Sequence, residues 1–278
     1  MPECIGRFFI RNGRLMEVQH FDSTFLADPH YIYEVFRVVG GIPLFIEDHL
    51  DRLQKTITLT GARFRWSLSE IGTQAKDLVL ANNMKTGNIK IVFRPGHAPD
   101  MDQLLVYITE HQYPTENQYR KGVGVMLFRG VRQNPNAKVM DVELRRQTRE
   151  HKSGKGVYEA LLVDHNGCIT EGSRTNVFFI CNMELITPPL EDVLPGITRK
   201  YIIQLCRQLN IPIKEEKVKV KDLPDMEGVF ISGTSRKVLP VNRIDELPFE
   251  ADHPLTRQLQ EVFNEKVKKY LESQKAKV

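Results

Sequence analysis

An α+β fold in two domains is predicted by three observations on this 278-residue chain. Apolar residues alternate with period two in some segments and recur every three to four residues in others, so strands and helices are interleaved. A polar stretch at 111–122, poor in aliphatic side chains, interrupts that pattern. The 41% apolar content supplies enough apolar surface for one large core or two smaller ones, and the interruption favours two. The expected units are a small N-terminal α/β domain over 1–115, a linker over 111–122 and a larger, sheet-containing C-terminal domain over 123–278.

The elements follow in order. Residues 5–20 read as two short strands around Asn12-Gly13, and 31–39 with 42–46 as two more around Gly40-Gly41. From Glu47 the spacing of Leu50, Leu53, Ile57 and Leu59 is helical, and 67–81 repeats it with Ile71, Ala75, Leu78 and Val79. Strands resume at 89–93 and 104–108. Beyond the polar stretch, strands are expected at 123–129, 159–164, 176–181 and 228–232, with helices at 144–151, 198–209 and 253–273. The last helix ends in a lysine-rich tail that reads as a solvated face.

Composition excludes several function classes. A net charge of +4 from 39 basic and 35 acidic residues, mixed along the chain, does not make a nucleic-acid interface. Cys4, Cys168, Cys181 and Cys206 show no C-x-x-C pair and no histidine at ligand spacing, so reduced thiols are expected, with neither a disulfide framework nor a metal site. The N-terminal residues lack an apolar signal core, and no run approaches the roughly 18 apolar residues of a membrane span. A soluble, cytoplasmic protein is the expectation.

Two neighbouring features carry chemistry. Glu171 leads toward the apolar run Val177-Phe178-Phe179-Ile180, where a carboxylate is costly unless a cation compensates it. Leu194-Pro195-Gly196-Ile197-Thr198 leads into a helix, whose free N–H groups and dipole favour an anion. Together they suit an aromatic cation bearing a phosphate. A second anion-seeking turn, Ser232-Gly233-Thr234-Ser235, follows the apolar strand at 228–231. Arg52, in His49-Leu50-Asp51-Arg52-Leu53, lies on a helix and offers a fork that matches phosphate oxygens. An N-cap, an ordinary strand-ending turn and a solvated arginine are the structural alternatives for these three.

In this order and at these intervals, E-G-S-R-T-N-V-F, T-P-P-L-E-D-V-L-P-G-I-T-R, E-D-H-L-D-R-L and S-G-T-S-R-K-V-L-P-V resemble the class IV aminotransferases, the fold-type IV pyridoxal phosphate enzymes. The resemblance spans about residues 30–245. It implies the two-domain fold-type IV architecture, pyridoxal 5′-phosphate as cofactor, and a homodimer in which the apolar strand at 104–108 and the N-terminal sheet contribute to the interface. By the same resemblance Arg52, the amides of Ile197 and Thr198, and Thr234 grip the phosphate, while Glu171 partners the pyridine nitrogen. The catalytic lysine that forms the Schiff base and shuttles the proton is assigned to Lys138, which follows Ala137 and lies 33 residues before Glu171. Lys152 and Lys155 sit in a polar Gly/Ser-rich loop and read as solvent-exposed.

An unperturbed lysine titrates near ~10.4, so burial or nearby cations must favour its neutral form. Relatives often place a tyrosine five positions after the lysine, facing the cofactor's phenolic oxygen, whereas Glu143 stands there here. Tyr33 and Arg37 share one strand face and match pocket positions of relatives, although residues 26–30 lack the usual Gly-Asp-Gly-like approach. Arg94 is suited to hold the substrate's α-carboxylate, and Ser235 joins Tyr33, Arg37 and Arg94 as a substrate-binding candidate. The resulting expectation is ping-pong transfer between an amino acid, branched-chain by preference, and a 2-oxo acid. D-amino-acid transamination, aminodeoxychorismate lyase chemistry and a non-catalytic cofactor-binding or interaction protein are the alternatives.

Overall fold

A computed structural model describes residues 3–26 and 31–276. Of the 26–30 segment, therefore, all but Leu26 lies outside the described residues. The chain folds into two compact units. The first comprises Met1–Gln112, Ala137–Asp141 and Val267–Val278, and the second Tyr113–Asn136 and Val142–Lys266.

These units depart from a simple N-terminal and C-terminal division, because the chain returns twice to the first unit. At the first return Val139 bridges Ile32, the Tyr33 N–H donates to the Lys138 carbonyl at 3.1 Å and the Met140 N–H donates to the Tyr31 carbonyl at 2.9 Å. At the second, the Tyr270 ring lies 4.7 Å from that of Phe45 and its hydroxyl donates to Glu47 at 2.7 Å.

In the first unit β1 (Cys4–Arg11), β2 (Arg14–Glu17), β3 (Ile32–Val39) and β4 (Ile42–Pro43) precede α1 (Ile46–Thr60) and α2 (Leu68–Ala81), and β5 (Thr86–Arg94) and β6 (Gln103–Thr109) follow. They form an antiparallel sheet ordered β2-β1-β6-β5-β3-β4. Ser67 caps α2 in a reciprocal capping box with Glu70, which fixes that start. Leu50, Leu53 and Ile57 of α1 and Ile71, Ala75 and Leu78 of α2 share a core with Phe36, Ile89, Ile91 and Val106. Leu59, expected on the same stripe, is exposed. Alternation sends Tyr33, Val92, Leu105 and Tyr107 into a second cluster. β6 lies between β1 and β5 and contributes to both clusters, so its apolar run fills cores of this unit.

The second unit begins with a helix where the sequence suggests only linker. Thr115 and Gln118 form a capping box that starts α3 (Glu116–Lys121). Next come β7 (Val123–Arg129), α4 (Val142–Lys152), β8 (Glu159–Val163), β9 (Cys168–Gly172), β10 (Asn176–Cys181), β11 (Glu184–Thr187) and α5 (Ile197–Gln208). β12 (Ile213–Glu215), β13 (Val218–Lys219), β14 (Gly228–Gly233), β15 (Lys237–Ile244), β16 (Leu247–Pro248) and α6 (Pro254–Lys275) complete the described elements. The sheet runs β12-β11-β10-β14-β15-β7-β8-β9-β13, with β16 on β15. Pairs β15/β7, β7/β8 and β11/β12 are parallel. Val125, Leu161, Val177, Phe179, Ile231 and Leu239 sit in its core. Glu171 belongs to its own strand, β9, and a tight turn closed by the Gly172 N–H on the Thr175 carbonyl at 2.7 Å leads into the apolar β10.

Candidate active site

Within the first unit, Lys138 is fixed through its backbone. Its carbonyl accepts from Tyr33, as above, and its N–H donates to Thr56 Oγ1 at 3.1 Å. The Lys138 ammonium lies 4.7 Å from the Tyr33 ring centroid, within cation–π range. Tyr33 and Glu34 are consecutive on β3 and therefore point to opposite faces. The fully buried Glu34 carboxylate accepts from Arg52 Nε and Nη2, both at 2.8 Å, and lies 2.9 Å from His49 Nδ1. His49, Arg52 and Thr56 follow at helical spacing on α1, so one helix face addresses both β3 and the Lys138 segment.

Electrostatics sharpens this arrangement. Burial pushes the Glu34 carboxyl up, but the Arg52 charge and the hydrogen bonds from Arg52 and His49 outweigh it, and Glu34 is brought down to about 2. Burial pushes His49 down from its ordinary value. Glu34 opposes that shift, and the positive charges of Arg52 and Lys138 reinforce it. Arg52, read from sequence as a phosphate contact, thus has two of its donors engaged by Glu34. The sequence reading missed Glu34, His49 and Thr56. The available signal was a carboxylate inside an apolar strand, which requires a cation nearby.

Two further first-unit candidates sit on strands of the same sheet. Arg37 follows Tyr33 on the same face of β3 and is half-buried. Arg94 ends β5 with its guanidinium 5.4 Å from the Phe25 ring centroid. It lines a cavity of about 180 Å³ together with Arg11, His20, Asp22 and Gln103.

In the second unit Glu171 is tied to the turn that precedes Ile197 and Thr198. Glu171 is buried and accepts from Arg132 Nε at 2.9 Å through Oε1 and from the Leu194 N–H at 3.1 Å through Oε2. The cation that the sequence reading required for Glu171 is Arg132, which that reading did not find. The Leu194 contact ties β9 to the turn that starts α5. Gly196 is the N-cap of α5 and offers no side-chain cap, so the first amides of the helix stay available to an anion. Asn176 braces the turn by donating to the Leu194 carbonyl at 2.9 Å. A Cβ on Gly196 would stand 2.0 Å from Asn176 Oδ1, so any larger residue there forces Asn176 to move.

Thr234 and Ser235 occupy the turn between β14 and β15. That turn lies beside the start of β10, because Asn176 is in register with Ser232. Ser232 Oγ and Thr175 Oγ1 are buried without a hydrogen-bond partner among the described residues. Glu143 faces solvent, where it pairs with Arg146 at 2.7 Å, so it does not supply the buried contact that relatives take from tyrosine.

These residues fit pyridoxal 5′-phosphate. A carboxylate held by Arg132 and a backbone amide retains lone pairs for a pyridinium N–H, while an uncapped helix start and orphaned hydroxyls suit a phosphate. Among the described residues no cluster of metal ligands occurs, and no helix is long and apolar enough to cross a membrane.

Comparison with known proteins agrees with this chemistry. The sequence matches the amino-transferase class IV family over residues 31–244. It is 28% identical to a D-alanine aminotransferase of Bacillus licheniformis, over 90% of this chain and 93% of that one. It is 27% identical to a probable branched-chain-amino-acid aminotransferase of Rickettsia felis, over 91% and 93% of the two chains. The fold superposes on the branched-chain aminotransferase from the archaeon Thermoproteus uzoniensis with a TM-score of 0.84 at 23% identity, covering 96% of this chain and 97% of that one. The chain therefore belongs to the class IV aminotransferases, enzymes that depend on pyridoxal 5′-phosphate.

Proposed function

We propose that this aminotransferase moves an amino group from a branched-chain amino acid to a 2-oxo acid in a ping-pong cycle, with Lys138 as the covalent anchor and proton carrier. The observation that carries the reading is Glu171, a buried carboxylate paired with Arg132 and tied to the turn that leads into the uncapped start of α5. The cofactor, when bound, supplies an electron-withdrawing ring and an aldehyde. Glu171 holds a proton on the ring nitrogen. Ile197 and Thr198, with Thr234 and Arg52, hold the phosphate, and the Glu34 and His49 contacts keep the Arg52 fork in one orientation.

Lys138 carries the proton removed from the substrate Cα. Tyr33 and Arg37 line the side-chain pocket, Arg94 takes the α-carboxylate and Ser235 contacts the substrate. The branched-chain preference is supported by the apolar Tyr33 face and the Arg94-Pro95 pair. The D-alanine relative motivates D-amino acids as the competing donors. The working assembly in this proposal is a homodimer in the cytoplasm.

A donor panel tests the reading. Holoenzyme mixed with L-branched-chain or D-amino acids is followed by absorbance as the aldehyde form of the cofactor converts to the amine form, then back on adding 2-oxo acid. Conversion fastest with L-branched-chain donors is expected. Conversion only with D-donors overturns the preference, and no conversion with any donor overturns the transfer.

A further inference from the structure

The segment that follows β7 carries two side chains that reach the proposed cofactor site in the second unit. Arg132 donates to Glu171 Oε1 at 2.9 Å. Further along the same segment, Asn136 donates from Nδ2 to the Leu190 carbonyl at 2.7 Å and to the Val193 carbonyl at 2.9 Å. Both partners are acceptors, so only the amide nitrogen can face them. A side-chain amide suits this place because it offers two N–H donors from one atom without a charge.

The turn that Asn136 grips needs outside support. Leu190–Asp192 is a single 3₁₀ turn, and its closing bond, from the Val193 N–H to the Leu190 carbonyl, is long at 3.4 Å. Short turns of this kind hold poorly on their own. The next residue, Leu194, donates its N–H to Glu171 Oε2 at 3.1 Å, and its carbonyl accepts from Asn176 at 2.9 Å. Arg132, Glu171, Leu194, Val193 and Asn136 therefore form a circuit. Two side chains of the 132–136 segment hold the carboxylate and the turn, and the carboxylate holds the turn again. Pro135 fixes φ immediately before Asn136 and stiffens the segment. Asn136 is also the last residue of the second unit before the chain returns to the first at Ala137.

We infer that Asn136 is a positioning residue for the cofactor. Its two hydrogen bonds set where the 190–193 turn stands, and with it the Leu194 amide, the Glu171 carboxylate and the first amides of α5. The partner of the ring nitrogen and the groups that meet the phosphate are thereby kept at one separation. Asn136 acts through the turn rather than by contact with the cofactor. The inference rests on the reading that Glu171 and the start of α5 hold pyridoxal 5′-phosphate.

Equilibrium dialysis of the full chain against pyridoxamine 5′-phosphate, which carries the ring and the phosphate but no aldehyde, measures this cradle without the covalent link. Each variant is measured below its own melting temperature, so that loss of fold does not enter. Asn136→Ala is expected to weaken binding about tenfold, the order of two modest hydrogen bonds. Asn136→Asp keeps the shape but removes both donors and is expected to weaken binding at least as much, whereas Asn136→Gln keeps the donors and is expected to recover part of the loss. Because Asn136 and Glu171 both act through Leu194, Glu171→Gln should cost less in the Asn136→Ala background than alone. A residue that merely stabilises its loop would leave the two losses multiplicative.

Unchanged binding in Asn136→Ala overturns the inference, and so does binding by Asn136→Asp equal to that of the unaltered protein. Fully multiplicative losses in the double variant overturn it as well. Unchanged binding in Glu171→Gln alone overturns the site reading and the inference with it. A loss in Glu171→Gln beside an unaffected Asn136→Ala overturns the inference alone, so the two failures are distinguishable.

Discussion

In the first unit, Glu34 is met by Arg52 and His49 inside the protein. In the second, Glu171 and Arg132 pair beside a helix start without a side-chain cap. The first arrangement completes its charge balance within the fold, so it serves to hold Arg52 and the Lys138 segment in place. The second leaves the start of α5 without a side-chain cap, which suits a site for an anionic ligand.

Breaking the closed network produces the largest predicted effect. Glu34→Ala leaves Arg52 buried without its carboxylate, and a loss of about 3–5 kcal/mol in unfolding free energy is expected, measurable by urea titration. A loss below about 1 kcal/mol would show that Arg52 finds another partner and that the network is not closed.

Acid sharpens the same contrast. His49 is held below its ordinary value of 6.5, so the unfolded chain takes up a proton that the folded chain refuses, and stability falls as pH drops below about 6.5. Glu34 adds to this loss as pH falls from 4.5 toward about 2, a contribution of about 3 kcal/mol in full. Below pH 4.5 the predicted acid loss is smaller in Glu34→Gln, whose unfolding midpoint in urea is compared with that of the unaltered protein from pH 4.5 to pH 2.5. Parallel pH curves for the two proteins contradict the assignment.

The open half responds in activity before stability. In Glu171→Gln the ring nitrogen loses its charged partner, and kcat is expected to fall on the order of 10²-fold, with cofactor binding weakened as well. Gly196→Ala drives a methyl into Asn176, and a cost of about 1–3 kcal/mol is expected, read as weakened cofactor affinity. Combining it with Asn176→Ala should recover part of that loss if the clash is the cause. The smallest effect belongs to a region outside both networks: Ser67→Ala removes the α2 cap and should cost about 1 kcal/mol, with cofactor affinity unchanged.

Much of this was legible in the sequence where periodicity is strong. The α2 stripe of Ile71, Ala75, Leu78 and Val79 emerged as a buried face, and the 123–129 and 176–181 strands emerged with the same limits. β9 did not, because its five residues contain Thr170 and Glu171 and lack an apolar alternation. The 137–141 return to the first unit was hidden for another reason. It rests on backbone hydrogen bonds to β3, which leave no mark on side-chain pattern. At the site, Glu171 and the glycine turn could be read because local geometry creates their chemistry. Arg132, 39 residues from Glu171, and the Glu34 network depend on tertiary placement.

The central claim is that Lys138 is the covalent anchor, and borohydride reduction of the holoenzyme followed by peptide mass mapping tests it most directly. A pyridoxyl label on Lys138, lost in Lys138→Ala, is the predicted result. A label on Lys152 or any other lysine, or no label on an enzyme that retains its cofactor, would contradict it.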